Sequence, residues 1–469
     1  MRSLWRIDLP KVLRGFVISG FVLVASSGIV SAHEVGGSRF DAPIPLPFLF
    51  AGAGVTVAAT AGWLAVSTSA ASTRMHRRKL TTVSQPLGES LALVSRIAFF
   101  FLFVLTLALG LLGPQVAAEN FATVFVWPIW LKGLLLLSAL VGSPWRVLSP
   151  WRTLYHGLVR LEGDELAIVG TYPSWLREWP ALVGFVVWIG ILENLTTIPS
   201  SPRATTLVVA GYTTIMILGA IAFGDEWLAH ADSLAVLYRL IGRVAPLRVG
   251  RGESGGYEVV LRPPWDGCTR SVGDITLVAF VVATVYTVSF DGFTSTPEYQ
   301  SILFSTRDAI GLGPITGILL YVAGYLVFLG SFAVVGAIAD VAGGRMSRGR
   351  SLMDFAPTVL PIAVAYEISH NYPSVARNLG QLSFVLGKYV VADPSAVELL
   401  FWLSLPVFWG SQVLLVVAGH IVAVVAAHYV TLDRYPARQL ATRAHVPLTV
   451  LMVGYTVISL WIVSRPVMS

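Results

Sequence analysis

Charged side chains are scarce in this sequence, because only 12% of its 469 residues are Asp, Glu, Lys or Arg. Soluble domains carry roughly 25% charged residues. Hydrophobic residues make up 55% of the chain, and the mean hydropathy is +0.73. So few charges cannot cover the surface of a chain of this length, which excludes a water-soluble globular protein.

Cysteine is almost absent, and glycine and proline are not abundant. The single cysteine, Cys268, excludes a disulfide-stapled secreted scaffold. The 43 glycines and 26 prolines are too few for a collagen-like or low-complexity chain. No phosphate-binding Gly-x-x-x-x-Gly-Lys-Ser/Thr loop occurs. The remaining class is an all-α integral membrane protein, a polytopic helical bundle.

The N-terminus has the pattern of a secretory signal. A basic region with Arg2, Arg6, Lys11 and Arg14 precedes an apolar run over 16–30, and small residues follow up to Ala32. We predict a signal peptide over 1–32, cleaved after Ala32. The mature chain then begins at His33, outside the cell. The alternative is an uncleaved first transmembrane helix.

Ten further apolar stretches are each long enough, at about 20 residues, to cross a hydrocarbon core of roughly 30 Å. They are 46–70, 91–113, 122–142, 179–196, 204–224, 273–290, 313–341, 355–386, 399–431 and 446–464. We therefore predict one multi-pass transmembrane domain over 33–469, with about ten helices. The longest loop, at about 225–272, is predicted to be cytoplasmic and to place an amphipathic helix on the inner membrane surface.

Basic residues are concentrated in alternate loops, and this asymmetry predicts orientation. One set of loops holds Arg74, Arg77, Arg78, Lys79, Arg146, Arg152, Arg160, Arg177, Arg239, Arg243, Arg248, Arg251, Arg262, Arg270, Arg345, Arg348, Arg350, Arg434, Arg438 and Arg443. The other set holds Arg39, Arg203, Arg307, Lys388 and Arg465. The first set is predicted to face the cytoplasm, in a cytoplasmic (plasma) membrane.

Ionisable residues inside the predicted spans are candidate functional residues, because they are costly in lipid. They are Arg96, Lys132, Glu193, Asp340, Glu367, His370, Arg377 and His420. Arg96 and Lys132 are expected in structural roles, either paired with acids or reaching towards the membrane surface. Glu193 and Asp340 lie near span ends, where water reduces the cost of a charge.

Glu367 and His370 form the densest constellation, because their i, i+3 spacing puts them on one helix face. The depth of His420 on the next helix brings it towards them, whereas His428 is placed near the cytoplasmic interface. Such a set suits copper, iron or zinc, and two histidines could hold a haem. We predict a metal site of Glu367, His370 and His420. The alternatives are a proton or ion pathway and a hydrogen-bond network that fixes packing.

Two further patterns have a functional and a simpler interpretation. A free His33 offers its amine and imidazole to copper, or it is only the first residue of a polar segment. Pro144-Trp145-Arg146 and Pro150-Trp151-Arg152 repeat a short pattern, which we interpret as Trp and Arg anchors at the membrane surface. The net charge of +6 reflects the cytoplasmic loops, and no nucleic-acid partner is expected. The lipid bilayer is the expected partner.

Several short motifs together resemble a family of prokaryotic multi-pass membrane proteins often labelled fenitrothion hydrolase-like. The motifs are His33 with Pro43-Ile44-Pro45, Ser149-Pro150-Trp151-Arg152, Phe223-Gly224-Asp225-Glu226-Trp227, Ser289-Phe290-Asp291-Gly292, Ala365-Tyr366-Glu367-Ile368-Ser369-His370, and Gly419-His420 near Ala427-His428. The resemblance implies hydrolysis of an organophosphate triester by a metal-activated water. It assigns no catalytic residue in this chain.

The leading prediction is a membrane metalloprotein of unassigned substrate, with its site in the bundle at Glu367, His370 and His420. A phosphotriester hydrolase is the enzymatic alternative. A proton-coupled transporter is the third class; it predicts inverted repeats with broken helices at matched positions, and the sequence shows none by inspection.

Overall fold

The structure is a computed structural model that describes residues 46–67, 77–252, 255–344, 349–391, 394–435 and 437–465. The predicted signal peptide over 1–32 and His33 lie outside the described residues. Three of the predicted cytoplasmic arginines, Arg74, Arg345 and Arg348, lie outside them as well, and so does Arg39 of the other set.

The described chain is mostly helical, and its helices are numbered here in chain order. They are α1 (Leu46–Ser67), α2 (Gln85–Leu112), α3 (Phe121–Val141), α4 (Trp145–Leu148), α5 (Pro150–Glu162), α6 (Trp179–Glu193), α7 (Pro202–Phe223), α8 (Asp225–His230), α9 (Ser233–Ile241), α10 (Ile275–Thr294), α11 (Pro297–Ile310), α12 (Ile315–Ala342), α13 (Arg350–Gly387), α14 (Leu405–Arg434) and α15 (Arg438–Val463). Short 3-10 turns occupy Ala117–Glu119, Ile198–Ser200 and Asp266–Thr269.

Nine of these helices are long and apolar enough to cross a membrane, counted over the described residues: α1, α2, α3, α7, α10, α12, α13, α14 and α15. They correspond to nine of the ten predicted stretches. The tenth stretch, 179–196, forms the shorter apolar helix α6. The protein is therefore a helical membrane protein, as the composition predicts.

Burial distinguishes helices at the centre of the bundle from helices at its rim. The most apolar windows of α13 and α10 are 83% and 78% buried, whereas those of α2 and α12 are only 17% buried. The exposed side chains of α2 are mostly Leu, Ile, Val and Phe, which suit contact with acyl chains. Functional groups carried by α10 and α13 therefore lie in the protein interior.

Three helices depart from regular α geometry. α3 is π-helical over Val126–Gly133, and α6 is π-helical over Val186–Glu193. α13 contains a 3-10 turn at Ala356–Val359 before its long α-helical part, Leu360–Gly387. Pro128 lacks the N–H that would bond one turn back, which loosens the helix where the first π segment begins.

A small antiparallel sheet was not predicted, and it qualifies the all-α class. Its strands are β1 (Arg78–Val83), β2 (Leu247–Arg251) and β3 (Tyr257–Leu261), in the order β1-β3-β2. Leu261 of β3 pairs with Arg78 on one side and with Leu247 on the other. The sheet joins two distant loops that the charge pattern assigns to the same side of the membrane.

The predicted amphipathic surface helix in the 225–272 loop is replaced by two short helices, α8 and α9. The second is not on the surface, because seven of its nine residues are buried. Tyr238 reaches across to α3, where its hydroxyl donates to the carbonyls of Trp130 and Leu131 at 3.2 Å each. The apolar face of α9 is thus covered by protein rather than by lipid headgroups.

The predicted membrane-surface role of the repeated Trp-Arg pattern is also wrong. Trp145 and Trp151 are almost fully buried. Their indole N–H groups both donate to one carboxylate oxygen of Asp232, at 2.8 and 2.7 Å, and Tyr212 donates to the other oxygen at 3.0 Å. The tryptophans fix the short helices around a buried acid, because a buried carboxylate must be hydrogen-bonded.

Loops that the charge pattern places on one side also contact one another. At the predicted cytoplasmic end, Arg77 pairs with Asp266 at 2.9 Å, in addition to the sheet. At the predicted outer end, Lys388 pairs with Glu119 at 2.8 Å and Arg465 pairs with Glu298 at 3.1 Å. These contacts therefore agree with the charge pattern on which loops share one side of the membrane. Which of the two sides is cytoplasmic stays a prediction.

The orientation can be tested by cysteine labelling, because the native Cys268 is not expected to react with the label. Cys268 is fully buried in the predicted cytoplasmic loop, and burial raises the pKa of its thiol to about 12. The exposed positions Thr81 and Ser301 keep all loop charges when changed to cysteine. In intact cells, an impermeant maleimide should label Ser301→Cys but should label Thr81→Cys only after permeabilisation. The opposite pattern would invert the topology.

Candidate functional site

Four ionisable side chains from four helices meet inside the bundle. Lys132 of α3 lies at the centre: its Nζ is 3.2 Å from Glu193 Oε1, 3.5 Å from Asp291 Oδ2 and 3.2 Å from Glu367 Oε1. Glu193 belongs to α6, Asp291 to α10 and Glu367 to α13. We call these four residues the lysine cluster. One ammonium thus faces three carboxyl groups.

The two π segments place Lys132 and Glu193 against each other. Lys132 is the seventh residue of the first segment, and Glu193 is the last residue of the second. A π turn loosens the carbonyl ladder, and side chains fill the gaps: Tyr238 bonds to the first segment, and Asn194 donates to the carbonyl of Ile189 at 2.7 Å. π segments inside α-helices are frequent at functional sites.

A close approach between α10 and α13 brings Asp291 and Glu367 towards the same lysine. A methyl group on Gly292 would clash with the hydroxyl oxygen of Tyr366. Only glycine therefore allows this contact. Since Gly292 follows Asp291 and Tyr366 precedes Glu367, the contact fixes the spacing of the two acids.

Exposure falls steadily across the cluster. The side chain of Asp291 is 26% exposed, those of Glu193 and Lys132 are each 11% exposed, and that of Glu367 is 1% exposed. A small cavity, with room for about one water molecule, adjoins Lys132 and Glu367. Thr284, Thr287 and six apolar side chains complete its lining. Asp291 is thus the outermost member of the cluster and Glu367 the innermost.

The cluster has more acceptor atoms than donors. Within the described part of the chain, both carboxylate oxygens of Glu367 and Oε2 of Glu193 lack a hydrogen-bond partner, although each residue lies within ion-pair distance of Lys132. One ammonium cannot neutralise three carboxylates, and like charges in a low-dielectric interior repel strongly. The cluster therefore holds an excess of acid over base.

The three residues of the predicted metal site have separate surroundings. Glu367 is committed to Lys132, and the half-buried ring of His370 stacks on Tyr366, with 5.9 Å between ring centroids. His420 is buried, and its Nδ1–H donates to the carbonyl of Val416 at 2.8 Å. Within the described ranges, no group of three or more His, Cys, Asp or Glu side chains is placed to hold a metal ion.

Two other candidates from the sequence, Asp340 and Arg377, lie outside the lysine cluster. The buried carboxylate of Asp340 accepts hydrogen bonds from the backbone N–H of Gly349 at 2.8 Å and from Ser351 Oγ at 2.6 Å. It therefore links the start of α13 to α12. Arg377 is exposed on α13.

Sequence reasoning missed Asp291 and His445. Asp291 lies just beyond the predicted span 273–290, and only its place in the Ser289–Gly292 motif drew attention to it. His445 was missed because it precedes the predicted span 446–464. Its ring lies 5.8 Å from that of His428, centroid to centroid, between α14 and α15. In both cases the predicted span stopped one residue short of a polar group that lies within the helix.

Comparison with protein-family models, curated proteins and solved structures finds no match. The resemblance to the fenitrothion hydrolase-like family therefore stays a prediction.

Motifs that carry that resemblance do contact each other in pairs. Arg152 of the Ser149–Arg152 motif bonds to both carboxylate oxygens of Asp225 at 2.7 and 2.6 Å. Asp291 and Glu367, from two further motifs, share Lys132. The short motifs are therefore contact points between distant parts of the chain.

The lysine cluster predicts a large stability effect. Replacing Lys132 by methionine keeps the volume but leaves three carboxyl groups without a cation, which costs about 3 kcal/mol or more for a buried pair that loses one partner. Thermal unfolding of the purified protein in detergent should show a clearly lowered Tm. Adding Glu367→Gln to Lys132→Met should recover part of the loss, because one acid is removed.

The matched control is Lys388→Met, because Lys388 pairs with Glu119 at the protein surface. Exposed ion pairs contribute about 1 kcal/mol or less. Equal stability of the Lys132 and Lys388 variants would show that the buried cluster is not held by charge.

Proposed function

We propose that this protein is a proton-coupled transporter of the cytoplasmic membrane and that the lysine cluster is its proton-binding site. The observation that carries the proposal is the single ammonium of Lys132 surrounded by three carboxyl groups within the bundle. Ionisable residues at this depth are functional-site candidates by default, because lipid makes them costly to keep.

The excess of carboxyl groups over ammonium groups is the reason for proton binding at this cluster. With Lys132 charged and all three acids ionised, the cluster would hold two uncompensated negative charges. A buried site reduces such an excess by binding protons. A shared proton can then leave and return without a change in fold, because Lys132 stays paired to whichever carboxylate is ionised.

The exposure gradient supports a direction for proton access. Asp291 is the most exposed acid and lies three residues before the predicted outer end of α10. Glu367 is sealed and adjoins the small cavity beside Thr284 and Thr287. We propose that protons reach the cluster from the outside through Asp291 and are held at Glu367. The charge pattern of the loops supports this orientation.

Irregular helices support movement at the site. Transporters commonly form their sites from interrupted helices. Here α3 and α6 are π-helical at the residues that carry Lys132 and Glu193, and α6 is too short to qualify as a full span. The sequence alone predicted no irregular helix here. The π segments in α3 and α6 favour a transporter over a metalloprotein.

A metal at His420 is the second candidate, and one observation favours it. Because the carbonyl of Val416 only accepts, Nδ1 of His420 carries the proton, which leaves a buried Nε2 lone pair with no partner among the described residues. That is the form in which a histidine binds a metal. The hydrolase that the resemblance implies would need such a metal to activate water. Elemental analysis of the purified protein distinguishes this candidate: a stoichiometric metal lost in His420→Leu would favour it.

Proton flux tests the proposal. The purified protein in liposomes with a trapped pH indicator should acidify or alkalinise the lumen when a potassium–valinomycin potential is imposed. Glu367→Gln should reduce the flux to that of protein-free liposomes, because the innermost proton site is removed.

Glu119→Gln is the matched control, since it makes the same chemical change at a surface pair. It should leave the flux at the native level. The proposal fails if native protein carries no flux at either polarity of the potential, or if Glu367→Gln and Glu119→Gln behave alike. Flux that follows sodium rather than pH would replace the proton by a metal cation at the same site.

A further inference from the structure

A second polar cavity lies where α14 turns into α15, away from the lysine cluster. Two histidines, one arginine and two threonines line it, with two aliphatic side chains: His428, Thr431, Leu432, Arg438, Ala441, Thr442 and His445. Arg438, Ala441, Thr442 and His445 come from the first two turns of α15. Their i, i+3, i+4 and i+7 spacing places these four residues on one face of the helix, so the side of its N-terminal part lines the cavity.

His445 gives an independent sign that the cavity takes a ligand. The side chain is only 5% exposed, and its Nε2 has no hydrogen-bond partner within the described chain. A buried polar atom without a partner costs free energy unless something outside the chain meets it. Because His445 lines the cavity, a bound group there could satisfy this nitrogen.

The charges around the cavity select the sign of the ligand. Arg438 is always positive, and the imidazoles of His428 and His445 can each donate an N–H, whereas no Asp or Glu is among the lining residues. A metal cation would meet repulsion from Arg438 and would find no carboxylate. An anion would meet a guanidinium and imidazole N–H groups.

The position of the cavity points to a membrane lipid as a source of that anion. His428 is six residues, or about 9 Å of helix rise, before the end of α14 at Arg434. The turn belongs to the loop set that the charge pattern places at the inner leaflet, where anionic lipids meet basic pockets between helices. The cavity has room for about one water molecule, which is also the size of one phosphate oxygen.

We propose that this cavity binds one oxygen of a phosphate group, with Arg438 and His445 as its principal donors. An inner-leaflet lipid and free phosphate share this chemistry, and the experiment separates them. The inference is independent of the proton-coupled function, because the lysine cluster contributes no residue to this cavity.

The test uses the full chain in nanodiscs of phosphatidylcholine, with or without phosphatidylglycerol, and with or without inorganic phosphate. Lipid retention by native mass spectrometry and the shift in Tm are the two readouts. Arg438→Gln and His445→Leu should each weaken phosphatidylglycerol binding about tenfold or more, because a charge-assisted hydrogen bond is lost. Arg443→Gln is the matched control: it removes an exposed charge from the same helix, outside the cavity.

A shift produced by inorganic phosphate and lost in Arg438→Gln would support the site with free phosphate as its ligand. A shift produced by phosphatidylglycerol alone would support it with lipid as the ligand. Equal behaviour of all three variants towards both ligands would overturn the proposal. So would stoichiometric zinc or copper that is lost in His445→Leu, because the cavity would then be a cation site. Equal Tm values in pure phosphatidylcholine establish that the variants are folded.

Discussion

The bundle depends on one buried interaction, the contact of the Lys132 ammonium with carboxyl groups from three other helices. It connects α3, α6, α10 and α13, and two of these are the most buried spans. Apolar packing in a membrane offers little directional preference, since lipid tails are as apolar as leucine. A shared charge supplies that preference, because every alternative arrangement would leave an ion unpaired in a low-dielectric interior. The π segments in α3 and α6 and the glycine contact at Gly292 are the local distortions that make the geometry attainable.

The same interaction that orders the helices leaves the site chemically incomplete. A purely structural site would match each carboxylate with enough donors. Asp340 is such a site, because its carboxylate accepts hydrogen bonds from two backbone N–H groups and one hydroxyl group. The lysine cluster instead has two acids in excess, and some of its carboxylate oxygens have no hydrogen-bond partner among the residues that the structure describes. Stability and proton binding therefore draw on the same residues. A transporter needs this combination, since its site must hold together while its charge changes.

Much of the architecture could be predicted from hydropathy, because each span must bury its own backbone hydrogen bonds over about 20 residues. Lys132, Glu193 and Glu367 could also be singled out, as ionisable residues within apolar stretches. Their partnership could not, because it depends on which helices are neighbours. Glu367 was grouped with His370 on the basis of spacing along one helix, whereas its partner is a lysine more than 200 residues away. Trp145, Trp151 and the α9 segment were predicted at the membrane surface. Composition alone does not show whether lipid or protein covers an apolar side chain.

The central claim is that at least one carboxyl group of the lysine cluster is neutral at neutral pH. Infrared difference spectroscopy of the protein in lipid bilayers tests it most directly, by comparing the native chain with Glu367→Gln, Glu193→Gln and Asp291→Asn. The account predicts a protonated-carboxyl stretch that shifts on deuterium exchange and that is lost or altered in these variants. A native spectrum with no protonated-carboxyl signal attributable to these three residues would contradict the account, because it would show the cluster carrying its full negative charge.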